Sequence, residues 1–259
     1  MNFFRAAWRS VRLLGMFVVA GTELLVKRPA TREQRADWLH RFCARAMRGL
    51  GIEIRVEGMF PARGAVISNH LSYLDIVVFA TLHPCVFVSK EEIRRWPVVG
   101  WMTTMSGTVY VARGHGGSAM KARKEMQAAL DAGLPVVFFP EGTTSNGSQL
   151  LKFHSGLLSQ VIAGGAPVTA AYLSYSLAED NGSGVSVADD VCYWGDRNML
   201  AHIFRFLALR GVRAEVRFAE EPIAFSSDGL HRKMAAVEAR SAVAALALRS
   251  EPRVVESMR

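Results

Sequence analysis

Short apolar runs that break into polar loops constrain this chain more than any other feature. Ala65-Val66-Ile67 gives way to Ser68-Asn69-His70-Leu71-Ser72-Tyr73-Leu74-Asp75, after which Ile76-Val77-Val78-Phe79 resumes the apolar character. The first run reads as a buried strand, and the residues beyond Asp75 continue as a helix. The pattern recurs in Leu134-Pro135-Val136-Val137-Phe138-Phe139, which breaks into Pro140-Glu141-Gly142-Thr143-Thr144-Ser145-Asn146-Gly147. Residues 118–132 read as a helix between two strands, which predicts crossover units. The fold class is therefore α/β, with a mixed, largely parallel central sheet flanked by helices. In such folds the loops leaving the strands carry the chemistry.

Two readings of the first corner stand side by side. Imidazole titrates near neutrality, and a carboxylate five positions away can fix its tautomer and strengthen it as a base. His70 and Asp75 are thus equipped to take a proton from an alcohol. Ser72-Tyr73-Leu74-Asp75 equally fits a helix capping box, with Ser72 as the cap and Asp75 bonding back to its amide. In the second corner, Glu141 is expensive to bury without a partner. Gly142 permits close backbone approach, and Thr143, Thr144 and Ser145 bring hydroxyl donors. Asn146-Gly147 is also a plain turn signal.

Charge narrows the classes of partner. The 259 residues carry a net charge of +8, which favours anionic surfaces. No helix-turn-helix, zinc-finger or aromatic RNA-binding signature accompanies that charge, so an anionic membrane surface is expected and nucleic acid is not. Cys43, Cys85 and Cys192 lie far apart in apolar settings. They read as reduced core residues, with neither a disulfide framework nor a metal site.

The ordered motifs resemble those of the glycerolipid acyltransferase family. Asn69-His70 through Asp75 matches its Asn-His-x4-Asp block, and Gly107-Thr108-Val109-Tyr110-Val111-Ala112-Arg113 its second. Phe139-Pro140-Glu141-Gly142-Thr143 matches the third, and Ala166-Pro167-Val168-Thr169-Ala170-Ala171-Tyr172 approximates the fourth. The resemblance covers roughly residues 40 to 225. It implies an O-acyltransferase that moves a fatty acyl group from acyl-CoA or acyl carrier protein, as co-substrate, to a lyso-lipid hydroxyl, with no cofactor and no metal. It implies catalytic roles for His70 and Asp75, and acceptor binding by Arg113, Glu141, Gly142 and Thr143. Asn69, Lys90, Thr144 and Lys152 are further candidates; Lys90 equally opens the solvated charged run that follows it. The acceptor first implied is 1-acyl-sn-glycerol-3-phosphate, giving phosphatidic acid, with lyso-ornithine lipid or another lysophospholipid as the alternative. Thr144 stands where the family usually has Arg, and Lys152-Phe153-His154 where phosphate-acceptor members read Pro-Phe-Lys. Those departures resemble the lyso-ornithine branch. A hydrolase would need a nucleophile elbow, and no Gly-x-Ser-x-Gly is present. A non-catalytic lipid-binding protein remains the third class.

The N-terminus predicts how lipid is met. Phe4, Trp8, Val11, Leu14 and Val18 fall at helical spacing, with Arg5, Arg9 and Arg12 on another side. This suits a basic amphipathic helix in the membrane interface. The apolar run over residues 13–26 contains Glu23 and is shorter than the ~20 residues needed to span a bilayer. Export would separate the enzyme from its thioester donor. The expectation is peripheral or monotopic attachment to the inner membrane, with the active site on the cytoplasmic side. Residues 1–50 are expected to form the anchoring helices and 51–259 the catalytic domain. Among the remaining segments, residues 178–190 read as a surface loop, 199–210 and 230–249 as helices, and 214–218 as a strand.

Overall fold

The structure, a computed structural model, describes residues 2–96, 99–112, 116–226 and 231–249. Seven strands form one sheet, β1 (Glu53–Glu57), β2 (Ala65–Ile67), β3 (Val86–Lys90), β4 (Val109–Val111), β5 (Val136–Phe138), β6 (Val168–Leu177) and β7 (Val212–Phe218). Their order is β1-β7-β6-β2-β5-β3-β4, with β6 and β7 antiparallel and all other neighbours parallel. The mixed, largely parallel sheet expected from the apolar runs is present. β2 and β5 are buried at every residue, as strands covered on both faces must be.

Alternation along the strands divides the core in two. Val66, Val137, Ala171 and Leu173 face the layer built by α1 (Phe3–Lys27), α2 (Arg32–Leu50), α3 (Leu74–Leu82) and α8 (Met199–Ala208). Ala65, Ile67, Val136, Phe138, Val168 and Ala170 face α5 (Gly116–Asp131), α6 (Ser155–Ala163) and α9 (Arg232–Ala247). Side chains point alternately up and down a strand, so one sequence supplies both cores.

Several local expectations are met by identifiable contacts. Thr31 and Gln34 form a reciprocal capping box at the start of α2, and Gly51 closes it in the left-handed region. The loop expected over residues 178–190 ends instead in the single-turn helix α7 (Val187–Asp190), capped by Ser186. A 3-10 segment (Glu91–Arg95) and α4 (Val99–Met105) were not anticipated. Both are too short to show a helical period.

Helix α1 inverts the usual surface pattern. Phe4, Trp8, Val11, Leu14 and Val18 are between 62% and 85% exposed. Arg5 and Arg9 instead turn inward, donating to the carbonyls of Ala208 (3.2 Å) and Leu209 (2.6 Å) at the end of α8. This corrects the expectation that these two arginines serve only to face headgroups. Carbonyls at a helix C-terminus lack partners and carry the negative dipole end, so guanidinium groups are drawn to them. Glu23, the charge interrupting the apolar run, makes a two-armed pair with Arg45 of α2 at 3.1 and 2.8 Å. Among the described residues, no helix is long and apolar enough to cross a membrane.

Candidate active site

Parallel pairing brings the two corners together. Ile67 pairs with Phe138, so His70 and Glu141 each lie three residues past a matched pair, at the same edge of the sheet. Their meeting is a hydrogen bond from the His70 backbone amide to Glu141 Oε2, 3.0 Å long. The Leu151 amide donates to Oε1 at 2.9 Å. Glu141 is 2% exposed, and both of its oxygens are engaged by main chain. Burial pushes its carboxyl above the usual range, while the two amides pull it back down. Gly142 then turns the chain at φ 66°, with its amide on the Phe139 carbonyl. Ser145 N–H donates to the His70 carbonyl at 2.9 Å and completes the clamp around the histidine.

The histidine side chain is set from two sides. Nδ1 lies 2.7 Å from Asp75 Oδ2. The ring stacks on Phe139, with centroids 4.0 Å apart and planes 6° from parallel. Its side chain is 17% exposed, and Nε2 makes no hydrogen bond among the described residues. Asp75 is fully buried. Its Oδ2 also accepts from the amides of Leu71 (2.6 Å) and Ser72 (3.0 Å), and its Oδ1 accepts from the Tyr175 hydroxyl at 2.8 Å. An acceptor so placed holds a proton on Nδ1 and leaves Nε2 as the basic lone pair.

The capping-box reading is corrected in part. Asp75 does bond back to the Ser72 amide, but Ser72 Oγ is buried without a partner and caps nothing. Helix α3 begins at Leu74, and Tyr73 at its cap position makes no side-chain capping bond. The Asp75 amide, which a cap hydroxyl would engage, donates to the Ser72 carbonyl at 3.1 Å instead. Asn69 continues the ladder of β2 with its side chain, donating to the Leu173 carbonyl and accepting from the Leu173 amide, both at 2.8 Å. This makes Asn69 a brace for the corner.

The other candidates spread along this edge. Lys90 is half-buried where β3 ends, three residues past the pairing of Phe87 with Val137. Thr143 and Lys152 are exposed and Thr144 is half-buried, on the loop that starts at Glu141. Arg113 lies outside the described residues. Phe139 and Tyr175 were not singled out in advance. Tyr175 is on the buried face of β6, where a phenol needs a polar partner, but the sequence does not say which. The cysteines are buried, and burial pushes the Cys43 and Cys192 thiols up to about 12, so neither offers a thiolate near neutrality. A cavity of about 390 Å³ against β4, lined by Arg32, Arg35, Arg94 and Lys121 with Glu91 and Glu125, contains none of His70, Asp75 or Glu141.

Glu141→Gln tests the clamp. An amide can accept from only one of the two main-chain donors, so unfolding free energy at neutral pH is expected to fall by about 1–3 kcal/mol, with kcat falling as the His70 backbone loosens. The raised carboxyl works against the fold as pH rises: its contribution is present below the unfolded value and is lost as pH climbs through the folded one. Thermal unfolding followed upward from mildly acidic pH should therefore show a flatter decline in the glutamine variant. Equal slopes would discount the buried carboxyl.

Known proteins resemble this chain in sequence and fold. The family profile described as Acyltransferase matches residues 52–174. The chain is 34% identical to a lyso-ornithine lipid O-acyltransferase of Pseudomonas aeruginosa, over 94% of this chain and 93% of that protein. It is 36% identical to a 1-acyl-sn-glycerol-3-phosphate acyltransferase of Neisseria meningitidis, over 49% of this chain and 50% of that one. The crystal structure of the 1-acyl-sn-glycerophosphate acyltransferase of Thermotoga maritima superposes with a TM-score of 0.60 at 22% identity, covering 94% of this chain and 99% of the other. That likeness establishes a shared fold. Similarity over nearly the whole of both chains places this protein in the acyltransferase family, as an O-acyltransferase.

Proposed function

We propose that the protein transfers a fatty acyl group from a thioester to the hydroxyl of a lyso-ornithine lipid. The observation that carries the choice of acceptor is similarity over nearly the whole chain to a lyso-ornithine lipid O-acyltransferase, against half the chain for the glycerol-phosphate enzyme. Thr144, standing where the motif usually has arginine, agrees with it. A phosphate monoester calls for fixed cations, and this position supplies only a hydroxyl. An ornithine headgroup carries a carboxylate and an ammonium together, and needs less positive charge.

The reaction follows from the free nitrogen. His70 Nε2 takes the hydroxyl proton as the acceptor oxygen attacks the thioester carbonyl. Asp75 stabilises the imidazolium that forms. The C–S bond breaks, and the proton passes from Nε2 to the departing sulfur. No acyl-enzyme is required. Thr143, Gly142 and Arg113 are assigned to the acceptor headgroup, with Lys90 and Lys152 at the margin. Glu141 acts from behind, through the main chain of His70. The donor is acyl-CoA or acyl carrier protein. The exposed apolar stripe of α1 rests in the membrane interface, on the cytoplasmic side where such donors are found.

One experiment separates the acceptors. Purified protein in mixed micelles is given labelled acyl-CoA or acyl carrier protein with lyso-ornithine lipid and, in parallel, 1-acyl-sn-glycerol-3-phosphate. Label is expected in the ornithine lipid at least about tenfold faster, a difference of roughly 1.4 kcal/mol in transition-state binding. Preference for the phosphate acceptor would return the assignment to phosphatidic acid synthesis. Release of free fatty acid alone would make the protein a hydrolase.

A further inference from the structure

We infer that Tyr175 is a positioning residue of the acyl transfer, holding the Asp75 carboxylate so that it orients His70 without taking its proton. The inference rests on the reading of His70 as general base. Of the two carboxylate oxygens, Oδ2 is shared by His70 Nδ1 and the amides of Leu71 and Ser72, all within one tight turn. Oδ1 has a single hydrogen bond, from the Tyr175 hydroxyl at 2.8 Å. Tyr175 comes from β6, a hundred residues downstream. Among the described residues it is the only group outside residues 70–72 that donates to Asp75.

Other titratable groups pack around this point, and none of them donates to Asp75. Glu141 is held by the amides of His70 and Leu151. The Tyr73 hydroxyl is 3.1 Å from His202 Nδ1, whose Nε2 faces the Cys192 carbonyl at 3.0 Å. Cys192 is a buried thiol close enough for Asp75 to influence its ionisation. None of these can replace the phenol. Burial, and then the charge of Asp75, keep Tyr175 protonated far beyond neutral pH, so it remains a donor throughout the working range.

The consequence is a graded control of basicity. A phenol donating to a buried carboxylate makes a charge-assisted bond, stronger than a neutral one. It draws charge toward Oδ1 and moderates the pull of Oδ2 on the Nδ1 proton. Without it, Oδ1 is an unsatisfied buried anion, Oδ2 attracts the imidazolium more strongly, and His70 stays protonated to higher pH. A protonated Nε2 cannot accept the acceptor's proton.

The test is a pH profile joined to a double-mutant cycle. Tyr175→Phe keeps the ring and removes the hydroxyl. Its kcat/KM is expected to fall about 3- to 10-fold near neutrality and to recover at alkaline pH, because the acid limb moves up by about half to one pH unit. In an Asp75→Asn background the same change should cost less than about twofold, since its target is gone. Equal loss at every pH, or additive losses in the double variant, would mean that Tyr175 only fills space. If Tyr175→Phe fails to fold, 3-fluorotyrosine at position 175 serves instead. Its stronger O–H donor should move the acid limb downward, and an unmoved limb overturns the inference. If His70→Ala or Asp75→Asn leaves activity intact, the general-base reading itself fails.

Discussion

His70→Ala is expected to lower kcat by about 10²–10⁴-fold while leaving the fold in place. The side chain contributes Nε2, which makes no hydrogen bond among the described residues, and a ring face stacked on Phe139. Asp75 keeps three of its four donors when the imidazole is removed. The clamp on the histidine main chain, from Glu141 and Ser145, does not depend on the side chain at all. Thermal unfolding should therefore shift little. Labelled acyl transfer measured beside a melting curve decides the matter. A folded variant within a few-fold of the parent would remove His70 from the chemistry.

The second large effect separates charge from shape at Asp75. Asparagine can present its oxygen to His70, Leu71 and Ser72, while its amide donates to the Tyr175 hydroxyl, which accepts as readily as it donates. Asp75→Asn should accordingly fold, yet lose about 10²-fold or more in kcat, because nothing negative remains to stabilise the imidazolium. Asp75→Ala strands two amides and a phenol in a fully buried site, at about 1–3 kcal/mol for each unsatisfied group. That variant is expected to be both inactive and visibly less stable. Paired kcat and unfolding measurements on the two would show activity lost in both and stability lost mainly in one. A stable, inactive alanine variant would contradict the buried network.

Local chemistry at the two corners was legible because it is short in sequence. His70, Leu71, Ser72 and Asp75 meet within one turn, so spacing alone brings imidazole, amides and carboxylate together. The strand-like runs that carry the corners were legible because burial on both faces demands unbroken apolar residues. Ser72 marks where that legibility ended. Its pattern read as a cap, but the hydroxyl bonds to nothing, since the Asp75 amide donates to the Ser72 carbonyl instead. The role of α1 was half visible: an apolar stripe and three arginines were evident, whereas the docking of Arg5 and Arg9 onto the end of α8 joins residues about 200 positions apart.

The amino-acid sequence by itself determined that an imidazole and a carboxylate meet at a strand-to-helix corner, since that contact spans only five residues. The tertiary structure decided what surrounds the histidine. The parallel register of β2 with β5 turned Glu141 from a free carboxylate into a brace for the His70 main chain. The pairing of β2 with β6 delivered Asn69 to Leu173, and β6 carried Tyr175 to Asp75. Partners from distant strands are chosen by which strands lie side by side and in what register. No local pattern encodes that, because it is settled only when both cores close around the sheet.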